Sequence, residues 1–102
     1  MNLTITARHC DISDELRARA EAVVTRLAGL VTRAVESTVV FDMVGPLAQA
    51  EIRLKGGRGE DFVATAQEKD HRTALDRAED KVRRQLEKAA APHRAKGARD
   101  TV

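Results

Sequence analysis

At 102 residues the chain has room for one domain with its own hydrophobic core but not for two, and it needs no metal or disulfide staple. Its single cysteine, Cys10, excludes an internal disulfide. With no Trp or Tyr, and only Phe41 and Phe62 as aromatics, it lacks the exposed rings on which single-strand binders stack bases. The formal charge of +2 is uneven: residues 1–69 carry nine basic and ten acidic side chains, residues 70–102 nine and six. From Lys81 to Arg99 seven basic residues face the single acid Glu87, which makes a local field far stronger than the net charge suggests. No apolar run is long enough to span a bilayer and no leader opens the chain, so a soluble, cytoplasmic protein is expected.

In chain order, Leu3, Ile5 and Ala7 alternate with Asn2, Thr4 and Thr6, the period-2 mark of a strand with one buried face. Ser13 can cap a helix whose first turn holds Asp14 and Glu15 and whose apolar face is Leu16, Ala20, Val23, Val24 and Leu27, with Gly29 just past its end. A second strand is predicted near residues 36–44, with Val39, Phe41 and Met43 on one face, and Gly45-Pro46 turns it back. A third follows with Ala48, Ala50, Ile52 and Leu54 inward against Gln49, Glu51, Arg53 and Lys55 outward. Gly56, Gly57 and Gly59 form a hairpin before Phe62, Ala64 and Ala66 mark a fourth strand. Asp70 can cap a last helix expected to run to about Ala91, before Pro92.

The fold class is therefore α+β: a two-layer β-α-β-β-β-α domain with a four-stranded sheet and both helices on one face, the opening strand parallel to its neighbour. Residues 1–91 form the single domain, and 92–102, poor in apolar side chains, a flexible basic tail.

On the last helix, Arg77, Lys81, Arg84 and Lys88 lie at i, i+4, i+7 and i+11, the spacing of one helical side. The apolar residues Ala74, Leu75, Ala78, Val82, Leu86 and Ala89 form a second stripe, and Asp76, Asp80 and Glu87 gather on a third side. Asp80 with Arg84 and Glu79 with Arg83 are ordinary i,i+4 supports, but Arg77 with Lys81 and Arg84 with Lys88 set like charges at that spacing, a small local cost. A polyanion is the partner that would repay it.

Nothing points to catalysis or to a cofactor. His9, His71 and His93 stand apart without ligand partners, so no metal is expected. The Gly56–Gly59 segment joins two strands without the Lys-Ser/Thr ending or helix start of a phosphate loop, and Ser13 and Ser37 lack any nucleophile elbow.

The residues Asp70, Ala74, Leu75, Asp76, Lys81, Val82, Gln85, Leu86 and Lys88 look like the closing D…A-I-D…K-L…Q-L-x-K pattern of the ribosome hibernation promoting factors, also called ribosome-associated inhibitor or sigma-54 modulation proteins. Leu3-Thr4-Ile5-Thr6-Ala7-Arg8-His9, followed by Ser13 and Leu16-Arg17, resembles the family's opening, and the element order is the family's order. The resemblance implies a fold similar to double-stranded RNA-binding domains and a non-enzymatic translation inhibitor of slow growth and stress. Such a protein occupies the decoding region of the small ribosomal subunit through rRNA phosphate contacts and blocks transfer RNA and messenger RNA.

The RNA-binding residues it implies are Lys81, Arg84 and Lys88 with Arg77, and in the first helix Arg19 and Arg26, with Arg8 nearby. The chain departs from the pattern at Arg72, where the family often has an aromatic, and at Ala89-Ala90-Ala91-Pro92, where it has lysines. The resemblance is to the short members of the family, without the dimerisation domain of the long ones, so any ribosome pairing is expected to depend on a separate modulation factor. Two alternatives remain: a general structured-RNA-binding protein, and a protein interaction module using the solvated sheet face or the acidic stripe.

Overall fold

In the computed structural model, which describes the backbone of residues 1–100 and the side chains through Ala89, four strands and two helices follow the predicted order. The elements are β1 (Asn2–Ala7), α1 (Asp14–Ala28), β2 (Ala34–Val44), β3 (Leu47–Gly56), β4 (Asp61–Glu68) and α2 (His71–Asp100). The sheet order is β1-β2-β3-β4. β1 runs parallel to β2, as a helical crossover demands, while β2, β3 and β4 form an antiparallel meander with Phe41 opposite Ala50 and Ile52 opposite Ala64. The two short loops allow the meander, the first being Gly45-Pro46 with Gly45 at φ 58°.

Alternation fixes which face is covered. Val39, Phe41, Ala50, Ile52 and Leu54 are fully buried under the helices, and Leu3, Ile5 and Phe62 pack against that core while half-buried. From above, α1 contributes Ala20, Val23, Val24 and Leu27, and α2 contributes Ala74, Leu75, Ala78, Val82 and Leu86. Each fully buried Val, Leu, Ile or Phe contributes roughly 1.5–3 kcal/mol by leaving water, so this single face holds the fold together. The helices divide the sheet: α1 lies over β1 and β2, α2 over β3 and β4.

Both helix starts are capped as expected. Ser13 Oγ accepts the Leu16 N–H at 3.0 Å, and Asp70 Oδ1 accepts the Thr73 N–H at 2.8 Å. The ends are different. Gly29 closes α1 in a right-handed conformation, φ −66°, so its glycine freedom is not used there. The predicted stop near Ala91 is corrected, because α2 runs to Asp100; a proline forfeits one i→i−4 bond without forbidding the helix beyond it. The tail of residues 92–102, as a flexible unit, lies outside the residues whose side chains are described.

Candidate nucleic-acid interface

The basic stripe of α2 lies along the outer edge of β4. Lys81 Nζ donates to the Thr65 carbonyl at 2.8 Å and Gln85 Nε2 to the Val63 carbonyl at 2.7 Å, while Arg77 Nε stands 4.0 Å from Glu68 Oε2. These contacts step backwards along β4 as α2 advances, so the helix runs antiparallel to the strand. Arg84 and Lys88 therefore sit toward the β3–β4 hairpin. Both are exposed, and neither forms an ion pair among the described residues. With Gln85 and Glu87 they line one shallow, open depression. From Arg77 to Lys88 the ridge spans about 16 Å at the helical rise of about 1.5 Å per residue.

Lys81 differs from its neighbours. A lysine carries three N–H donors, and the Thr65 carbonyl takes one; the other two remain in solvent with the whole charge. The bond fixes the ammonium at the strand edge instead of letting it sample the full reach of a four-carbon stem.

The arginines of α1 are placed otherwise. Arg19 grips Asp76 of α2 with three hydrogen bonds, Nε to Oδ1 at 3.1 Å and one guanidinium nitrogen to Oδ1 and Oδ2 at 2.9 and 3.1 Å. Arg26 reaches Glu79 at 3.1 Å, and Glu79 also receives Arg83 at 3.3 Å. The two α1 arginines share one side of their helix, but that side faces acidic residues of α2, and their charge is largely cancelled locally. Asp76 thus belongs to a helix-to-helix clamp and not to a free acidic stripe. Of the two i,i+4 pairs, Glu79 with Arg83 forms, whereas Asp80 with Arg84 does not among the described residues.

Arg8 stands apart from the ridge. Its N–H donates to the Phe41 carbonyl at 2.8 Å, extending the β1–β2 ladder by one residue, and its side chain is exposed at the opposite sheet edge from β4. Beside it, His9 adopts φ 57° and its Nδ1 meets Asp42 Oδ1 at 2.9 Å. That bond, with the Met43 N–H on the same carboxylate at 2.8 Å, holds Asp42 below the usual carboxylate range. His71, the first residue of α2, donates Nε2–H to the Asp42 carbonyl at 2.9 Å and sets its ring edge-on to Phe41. Cys10 packs half-buried against the core, and desolvation raises its thiol pKa. A cleft of about 390 Å³ between the helix starts is lined by Arg19, His71 and Arg72 but also by Glu15 and Asp70, so its charge has no single sign. No helix among the described residues is long and apolar enough to cross a membrane.

Residues 3–94 match the family model described as sigma 54 modulation protein / S30EA ribosomal protein. The chain belongs to this family. Among solved structures, the S30EA-family chain is similar to the Thermus thermophilus Protein Y N-terminal domain, at 27% identity and a TM-score of 0.73, over 86% of this chain and 98% of that one. It also shares the fold of a ribosomal subunit interface protein from Coxiella burnetii, at 22% identity and a TM-score of 0.76, over 89% and 99% of the two chains. No curated protein matches it. The family named is the one that the opening and closing motifs resemble, that of the ribosome-associated hibernation factors, which bind ribosomes, regulate translation and are not enzymes.

Two features of this S30EA-family domain escape a reading of its sequence. Gln85 stands in the family motif without an obvious role, yet it pairs with Lys81 at i,i+4 to occupy β4 carbonyls. Asp76 and Glu79 act as partners of α1. Their spacing on one helix side, matched to the Arg19 and Arg26 side of the other helix, is a faint signal, usable only once the two faces are known to meet.

Proposed function

We propose that this ribosome-associated protein silences ribosomes by occupying the decoding region of the small subunit, its α2 ridge neutralising rRNA phosphates, so that transfer RNA and messenger RNA are excluded. One observation carries the reading: Arg84 and Lys88, with Lys81 fixed beside them, form a line of cations without an ion-pair partner among the described residues, while the arginines of α1 are spent on Asp76 and Glu79. The ridge, not α1, is the phosphate-binding element, with Arg77 at its weaker end; Arg19 and Arg26 hold the helices together, and Arg8 lies too far across the sheet to join the same contact. A surface without aromatic platforms suits structured RNA, which is read through phosphates and helical shape. Binding is to a cytoplasmic particle and requires no cofactor.

The test is co-sedimentation with purified small subunits. The native chain is compared with a Lys81→Glu, Arg84→Glu, Lys88→Glu variant shown to be folded by circular dichroism. Because Lys81 also bonds the edge of β4, the Arg84→Glu, Lys88→Glu pair is run beside it. Loss of binding by tenfold or more in both variants, with native binding that resists excess transfer RNA and duplex RNA, is the expected result. Native binding abolished by those competitors indicates a general structured-RNA binder. Unchanged binding by the variants overturns the ridge and favours a protein-contacting face.

A further inference from the structure

The sheet has two edges, and the fold treats them differently. β4 is guarded: Gln85 and Lys81 occupy the outward carbonyls of Val63 and Thr65, and Arg77 and Glu68 place charge beside them. Among the described residues, β1 carries no such guard. The Arg8 N–H bonds the Phe41 carbonyl of β2, and backbone groups alternate sides along a strand. The even residues of β1 therefore face β2, and Leu3, Ile5 and Ala7 aim their N–H and C=O groups away from the sheet. The strand Asn2–Ala7 has no charged side chain and no proline, its register against β2 runs without a bulge, and Leu3-Thr4-Ile5-Thr6 favours extended structure.

We propose that two copies of this chain pair through β1, antiparallel about a two-fold axis, joining two four-stranded sheets into one of eight. The register follows from the faces. With the axis at Thr4, Leu3 lies opposite Ile5 of the second copy and Ile5 opposite its Leu3, each pair exchanging two backbone hydrogen bonds, with all four apolar side chains on the covered face. On the solvated face Thr4 meets Thr4, and Asn2 meets Thr6. A slip of one residue would set inward side chains against outward ones. No like charges meet within the strand, so nothing in it opposes self-association. Because β4 is sealed, assembly stops at two and does not run on into a fibre. The contact is small, which places the dimer among weak, transient associations visible at about 0.1–1 mM.

Sedimentation equilibrium up to about 1 mM tests this. The native chain is expected to dimerise reversibly. Thr4→Lys and Thr4→Glu, each on the exposed face and checked for native circular dichroism, are expected to weaken association about fivefold by setting like charges at the axis. An equimolar mixture of the two is expected to restore it. In the Lys81→Ala, Gln85→Ala variant the second edge opens and species larger than a dimer appear. A native chain that stays monomeric throughout overturns the proposal. So does a dimer indifferent to both Thr4 changes, or one that the mixture fails to restore, since its contact would lie elsewhere. A Lys81, Gln85 variant that stops at the dimer overturns the sealing of β4.

Discussion

Arg19 and Arg84 are both arginines on amphipathic helices, and their surroundings give them opposite roles. Arg19 spends its planar fork on a bidentate bond to Asp76, 57 residues away in sequence, whereas Arg84 keeps its charge for solvent. The Arg19–Asp76 pair is about 40% exposed on both sides, which limits its worth to that of a well-formed surface pair. A double-mutant cycle of Arg19→Ala and Asp76→Ala, read by urea denaturation, should give a coupling of about 0.5–1 kcal/mol. Arg19→Ala should also leave ribosome binding unchanged while Arg84→Ala weakens it; equal losses from the two would return α1 to the binding surface.

At the level of the elements, the start of α2 is set by one carboxylate. Asp70 accepts the Thr73 N–H and then the Thr73 hydroxyl, and both bonds hold its carboxyl below the usual range. The native state thus binds this proton less readily than the unfolded chain, so the stability it adds is complete above the unfolded value of about 3.9 and is lost as pH falls through the lower native one. Asp42, held down by His9, adds to the same acid limb. Melting temperatures followed from neutral pH downward should therefore drop below about pH 4, and Asp70→Asn, which keeps an acceptor oxygen but cannot titrate, should make that drop shallower.

The caps, turns and apolar stripes behind these elements were legible in sequence because each depends on near neighbours: Ser13 with Leu16, Asp70 with Thr73, Gly45 with Pro46. The clamp of Arg26 on Glu79 spans 53 residues and depends on how two helices are set on the sheet, which no periodicity encodes. The same holds for Gln85 on Val63. The basic ridge itself was legible as spacing, but the division between free and neutralised cations required the packed structure.

For the whole molecule, binding to a polyanion scales with the number of cations that displace counterions. Measured against salt, the log-log slope for small-subunit binding should fall in magnitude by about one for Arg84→Ala and again for Lys88→Ala, and should not change for Arg26→Ala. A slope unmoved by the first two substitutions would take phosphates away from the ridge.

The lone parallel pairing of the sheet also orders its assembly. β2, β3 and β4 are joined by tight turns and find one another locally, whereas β1 reaches β2 only after the chain of residues 8–33, with α1 inside it, has closed. β1 should be the last strand to dock on folding and the first to leave in native-state fluctuations. Hydrogen exchange should find the β1–β2 bonds opening with less protection than those between β2 and β3, a kinetic grading imposed by connectivity alone.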